Sequence, residues 1–409
     1  MNQPAVKHIV IYLYYSLRDP LCQGLMLNYL KDLRSDQTVF HLITFEQEKF
    51  SMSPAEASLE RDQLLSGFNI EWHPLAYSSG SFFLMKKLFS ALKAIRLLKK
   101  IDGAHQVSLV CAMATPVGSY AFIASRLYHK KFCQFTFEPH AQIMMESGRI
   151  SSAGLKYRIG HWLEMMIGKN AETVVCTTRH MVDNLQKLGA KGELFRLPTS
   201  VDEDKNRFSK AGRDRLRKEL KIEDKAVLIY PGKFGGMYAE SKAIEVMNAF
   251  LQNVPEAHVL IITDHEHGAI REWMRSANMP ELRTTLLPVV PLAELPAYLS
   301  AADIGLVAYA DFGARKYCSP VKVGEYLLCG LPYIVQRGTS EDDAYAEKEN
   351  VGVVLEEFSS AGLHNAITSV RSLLNEDKSV LRARCRQVGE QYRGKKNALR
   401  LMKRIFDQA

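Results

Sequence analysis

YCSPVKVGEYLLCGLP, residues Tyr317 to Pro332, is the stretch on which the reading of this chain turns. Ser319 is a good helix N-cap and Pro320 suits a first helical position, while Gly330 followed by Pro332 is a stop, so the spacing predicts a helix of about three turns. Lys322 and Glu325 lie three apart on one face, near the end where free backbone N–H groups favour an anion. Such a turn can hold a phosphate and a sugar hydroxyl together. The same spacing also describes a Lys–Glu pair on the surface of an ordinary α/β helix.

Working outward, the flanking segments supply the architecture. β-branched and aromatic runs at 6–15, 39–45, 69–73, 107–112, 132–137 and 173–177 alternate with helix-length segments, the pattern of a parallel sheet wrapped by helices. After Leu197-Pro198-Thr199-Ser200-Val201-Asp202 and a charged segment, a second series follows at 226–230, 258–263, 284–289, 303–309, 333–336 and 351–355. The expected fold class is therefore α/β, with two doubly wound, Rossmann-like domains facing a cleft, where open sheets bind ligands beyond their carboxyl strand ends. The last helical pattern has an apolar stripe of Leu399, Met402, Ile405 and Phe406, which requires a docking partner.

Composition narrows the rest. The 409 residues are 47% hydrophobic and 24% charged, which is globular, and the formal charge of +8 favours an anionic partner without choosing between nucleotide, nucleic acid and anionic membrane. No aromatic-basic platform supports nucleic acid. Seven scattered cysteines fit free thiols in a reducing compartment, and no apolar run approaches the roughly 20 residues of a spanning helix, so a cytoplasmic protein is expected.

Further candidates lie in turns. Pro231-Gly232-Lys233-Phe234-Gly235-Gly236 follows a strand and precedes a helix holding Lys242, a glycine-rich turn with mobile positive charge, although without P-loop spacing. Its plainer reading is a tight turn with two solvated lysines. Phe137-Glu138-Pro139-His140 ends a strand, where a histidine suits contact with a substrate oxygen. Gly24 follows the first strand and either brings backbone N–H groups near a ligand or simply makes the turn. Asp264-His265-Glu266-His267 and the Asp202, Asp204 pair have metal-ligand types but read better as an exposed loop and a linker. Phe82 to Ile101 is a basic amphipathic helix, with Leu84, Leu88, Leu92, Ile95 and Leu98 on one stripe, suited to packing on the sheet, to lying on anionic lipid, or to both.

Four pieces coincide in order: Val174 to Thr178, Leu197 to Asp202, Tyr230-Pro231-Gly232-Lys233, and Ala302-Asp303-Ile304-Gly305-Leu306 leading into Ser319 to Tyr326. Together they resemble the retaining nucleotide-sugar glycosyltransferases of family 4, which have the two-domain GT-B fold. The resemblance implies an N-terminal acceptor domain at 1–197, a nucleotide-sugar domain at 198–385 and a C-terminal helix, 386–409, crossing back to the N-domain. It implies donor binding by Gly24, Gly232, Lys233, Lys242, Ser319, Pro320, Lys322 and Glu325, with Glu325 accepting from the ribose hydroxyls and His140 meeting the transferred sugar. His140, Lys233 and Lys242 would be catalytic. No cofactor and no metal are expected, the nucleoside diphosphate sugar being the substrate and a glycan or lipid-linked molecule the acceptor. One departure stands out, since the first of the family's paired glutamates falls at Tyr317. Alternatives of other kinds are a nucleotide-sugar epimerase and a non-catalytic membrane- or glycan-binding scaffold.

Overall fold

The computed structural model describes residues 6–19, 22–77 and 83–409. They divide into two compact units, one formed by residues up to Leu197 together with Ala398–Ala409, the other by Pro198–Asn397.

The first unit is built on seven parallel strands: β1 (Lys7–Leu13), β2 (Thr38–Glu46), β3 (Ile70–Ala76), β4 (Leu109–Met113), β5 (Lys131–Phe137), β6 (Thr173–Cys176) and β7 (Glu193–Arg196). Their order is β3-β2-β1-β4-β5-β6-β7. The second has β8 (Ala226–Pro231), β9 (Ala257–Ile262), β10 (Thr284–Leu287), β11 (Ile304–Val307), β12 (Tyr333–Gln336) and β13 (Gly352–Leu355), in the order β10-β9-β8-β11-β12-β13. In both sheets the order reverses beside the first strand, so each has one topological switch point, between β1 and β4 and between β8 and β11. Central strands such as Val227 to Tyr230 are apolar on both faces because helices cover both faces. The sequence pattern omits β7, a four-residue edge strand that is nowhere fully buried and so carries no continuous apolar run.

The two C-terminal helices part company. Lys378–Arg393 stays with the second unit and lies so close to the Val321–Leu328 helix that a Cβ on Gly389 would stand 3.0 Å from Leu327 backbone. Only from Ala398 does the following helix, Lys395–Asp407, join the first unit, where Phe406 packs on the rings of Phe40 and Phe135 at 5.4 and 6.1 Å. The expected returning segment 386–409 is thus shorter than its polar pattern suggests. Residues 386–393 complete a helix whose apolar side, including Leu381, Cys385 and Val388, is buried within the second unit.

In the first unit, the Phe83–His105 helix turns Ala91, Ala94, Leu98 and Ile101 inward, and Tyr12 donates its hydroxyl to the Ala94 carbonyl at 2.9 Å. The expected stripe is rotated. Leu92 is exposed and Phe89 is 59% exposed, because alanines permit closer approach to the sheet than leucines do. Phe82 and the side chains of 83–88 lie outside the described residues.

Candidate functional site

The polypeptide around the β8–β11 switch point gathers most of the predicted residues. Beyond β8 the backbone turns at Gly232, whose φ of +143° suits glycine and whose absent side chain makes room for Lys322. A Cβ there would stand 2.5 Å from Lys322 Nζ. Gly235 and Gly236 are also left-handed, and the turn they make returns Tyr238 to pair with Tyr309 just past β11. The two rings stack at 5.3 Å. Lys322 is therefore held between Tyr230 and Tyr238, its ammonium 4.2 and 4.8 Å from their ring centres.

The surface-pair reading of Lys322 and Glu325 fails here. Lys322 is 8% exposed, and among the described residues no carboxylate lies within 4.0 Å of its ammonium. Burial pulls Lys322 down to about 8, with Glu325 opposing, and burial pushes the Glu325 carboxyl up to about 7, with Lys322 opposing. A desolvated cation one turn from a desolvated carboxyl, beside a helix N-terminus, suits an anion with a hydroxyl-bearing neighbour.

The helix carrying them, Val321–Leu328, is about two turns long, shorter than expected. Ser319 does not cap it. Pro320 occupies the N-cap position, while Ser319 Oγ accepts from the Thr199 N–H at 3.0 Å and from Arg393 at 2.7 Å. Thr199 returns a hydroxyl bond to the Ser319 carbonyl at 2.8 Å. Arg393 in turn pairs with fully buried Asp342. Ser319 thus ties the start of the helix to the Pro198–Asp202 segment. At the other end Gly330, at φ +70°, closes a Schellman turn, with Gly330 N–H on Leu327 O and Leu331 N–H on Tyr326 O, each at 2.9 Å. Tyr326 lies flat against Gly305 of β11 and donates to the Leu306 carbonyl at 3.0 Å.

The two other lysines are peripheral to this centre. Lys233 is 71% exposed and reaches Asp264 at 4.0 Å, and Lys242 rides over the Phe358 ring at 4.9 Å while its charge helps hold the Asp311 carboxyl low, behind the larger effect of Arg315. Tyr317 is buried beneath Lys316, in a 3-10 turn ahead of the helix. Asp303, from the same motif, is structural. Burial alone would raise its carboxyl, but Arg213 at 2.7 Å and Arg217 at 3.2 Å hold it low, and it accepts from Val227 N–H.

Gly24 and His140 belong to the first unit. Gly24 lies in a π-helical turn, Gln23–Leu27, exposed and with open space where its Cβ would be, so packing does not require glycine there. His140 opens the His140–Glu146 helix beyond β5, next to Glu138, whose carboxyl burial pushes up to about 7. Behind them Glu164, pushed up to about 8 by burial, accepts from Ala141 N–H at 2.8 Å. Sequence reading missed Glu164, since a single acid in a helical pattern carries no signal of burial. Of the discounted metal signals, Glu266 caps a helix through Gly268 and Ala269 N–H, and Asp202 accepts from Asp204 and Lys205 N–H.

No protein-family model matches the chain, and no curated protein matches it by sequence. Solved structures do. Sucrose-phosphate synthase from Thermosynechococcus elongatus superimposes with a TM-score of 0.72 at 14% identity, covering 98% of each chain. Anabaena HepE, in complex with UDP and glucose, gives 0.70 at 14% identity over 98% of this chain and all of that one. This chain has the GT-B fold. WaaG, a glycosyltransferase involved in lipopolysaccharide biosynthesis, shares that fold with a TM-score of 0.63, 14% identity and coverage of 96% and 99%. In this GT-B chain the Lys322 centre stands at the switch point of the second Rossmann-like unit.

Proposed function

We propose that this chain is a retaining, metal-independent glycosyltransferase that moves a sugar from a nucleoside diphosphate sugar to a hydroxyl acceptor. The observation that carries this reading is the buried ammonium of Lys322, passed over Gly232 and framed by Tyr230 and Tyr238, with Glu325 one turn along the same helix. On this reading Lys322 and the helix N-terminus meet the diphosphate, Glu325 accepts from the ribose hydroxyls, and exposed Lys233 closes on the phosphates with Lys242 behind it. Charge developing on the leaving diphosphate is met by cations already in position. His140 would contact the transferred sugar and Gly24 the donor phosphates, and a donor phosphate oxygen would take the acceptor's proton.

The acceptor reading is a surface glycan or its lipid-linked precursor, by analogy with WaaG, and the location cytoplasmic, at the inner face of a membrane. Three neighbouring helices of the first unit support peripheral docking: Phe83–His105, Thr115–Leu127 and Leu155–Asn170. They expose Phe89, Leu92, Ile123, Leu127, Leu155, Ile159, Trp162 and Met166. Their acids are only Asp102, paired with Lys130 at 2.6 Å, and buried Glu164, whereas Lys93, Arg96, Lys99 and Lys100 face water. No helix among the described residues is long and apolar enough to cross a membrane.

Nucleotide release by purified protein, with donor and acceptor panels and EDTA present, tests the activity. Turnover is expected without added metal and reduced at least tenfold in Lys322→Ala and Lys233→Ala. A requirement for added Mg2+ or Mn2+ that Zn2+ does not replace rejects the mechanism, undiminished turnover in both variants rejects the site, and conversion of the donor with no acceptor consumed indicates an epimerase instead.

A further inference from the structure

Four of the chain's twelve histidines meet at one place in the first unit. His8 lies on β1, His41 on β2, His73 on β3, and His105 ends the Phe83–His105 helix. Glu71 of β3 completes the group. The register explains the convergence: Val10 stands opposite His41 and His41 opposite Glu71, and directly opposed residues of neighbouring strands share a face of the sheet. His8 and His73, each two residues along from a member of that row, project from the same face.

The separations bring donors to both ring nitrogens of His41, His8 on the Nε2 side and Glu71 and His73 on the Nδ1 side. His8 Nδ1 is 3.0 Å from His41 Nε2, and His41 Nδ1 is 3.1 Å from Glu71 Oε2 and 3.3 Å from His73 Nε2. The His105 ring stacks on His8 at 4.5 Å and lies 5.3 Å from His41. One ligand atom from each of His41, Glu71 and His105 falls within 4.8 Å of the others. Donors around a tetrahedral ion with bonds of about 2.0–2.1 Å stand about 3.3 Å apart, so small rotations of these side chains close the shell. Hydrogen bonding accounts for the His8–His41–Glu71 chain. It gives no reason for His105 to be drawn from a helix end onto the same group.

We propose that His41, Glu71 and His105, with His8 or His73 as fourth donor, bind one divalent transition ion of the zinc class. Imidazole nitrogen with a single carboxylate suits zinc and its neighbours better than magnesium or calcium, which favour all-oxygen shells. Buried His41 anchors the site from the sheet, while exposed His105 and half-buried Glu71 leave an entry path. The role is structural. His8 and Glu71 are the second residues of their strands, at the amino ends, whereas ligands of open sheets bind at the carboxyl ends. The ion would clamp the end of the basic Phe83–His105 helix to β2 and β3.

Full-length protein stripped with chelator and titrated with Zn2+ tests this, with metal content after gel filtration and thermal unfolding as readouts. One equivalent is expected to bind and to raise the unfolding temperature. His105→Ala, at an exposed helix end, should fold as the parent does and lose at least tenfold in affinity, and Glu71→Gln should lose a similar amount. His161→Ala, outside the group, should change nothing. Absence of a stoichiometric site overturns the proposal, as does equal affinity in the His105→Ala variant, which would assign the binding to scattered surface histidines.

Discussion

Lys322 is the residue whose environment changes most between sequence and structure. As a sequence letter it is one of 53 basic residues. In the fold it is a buried cation held by two aromatic faces, and its charge is available only below about pH 8, while Glu325 is a carboxylate only above about pH 7. Under the proposed donor-binding roles, raising pH through 8 removes the cation that would meet the diphosphate, and lowering pH through 7 protonates the group that would accept from ribose. Calorimetric affinity for a nucleoside diphosphate should therefore peak between pH 7 and 8 and fall by up to about tenfold per unit beyond pH 8, the limit for one required proton. Lys322→Met should flatten the alkaline limb and Glu325→Gln the acid limb, whereas a wild-type profile flat from pH 6 to 9 contradicts both roles. Gly232→Ala puts a methyl where Lys322 passes and forces φ +143° on a residue with a Cβ. It should weaken nucleotide binding at least tenfold and lower stability by about 1–3 kcal/mol in denaturant titration.

At the scale of elements, periodicity made all but one strand legible, because strands buried on both faces read as apolar runs. The edge strand β7 and the lengths of helices did not follow from pattern. Ser319 looks like an N-cap by residue type, yet Thr199 and Arg393 claim its hydroxyl, so the cap falls to Pro320 and the helix starts one residue later than expected, at Val321. That competition involves partners 120 and 74 residues away, and no local rule detects it. The Lys395–Asp407 helix is the reverse case. Its stripe announced docking, and Phe406, 5% exposed between Phe40 and Phe135, gives the address. Phe406→Ala should cost about 3–5 kcal/mol of first-unit stability, read from chemical unfolding, since loss of the ring leaves a cavity between the helix and the sheet. A loss below about 1 kcal/mol would mean the helix is only loosely attached.

For the molecule as a whole, the balance of charge and exposed apolar surface matters more than any single side chain. If the exposed apolar and basic face of the first unit docks on membrane as proposed, full-length protein should pellet with anionic vesicles and not with neutral ones. Ile159→Ser combined with Trp162→Ser should reduce pelleting several-fold, and salt should weaken it because the basic contribution is screened. Equal pelleting by wild type and variant would remove this surface from the account. The sequence by itself determined the fold class, the two-unit division near Leu197 and the identity of the helix bearing Lys322 and Glu325. Apolar periodicity, glycine turns and proline stops are local properties that survive without knowledge of contacts. Only tertiary structure decided that Lys322 is a caged cation and not half of a surface pair, that Ser319 braces a junction, and that His8, His41, Glu71, His73 and His105 form one group. Burial and convergence are properties of residues distant in the chain, and they arise when parallel strands bring those residues into register.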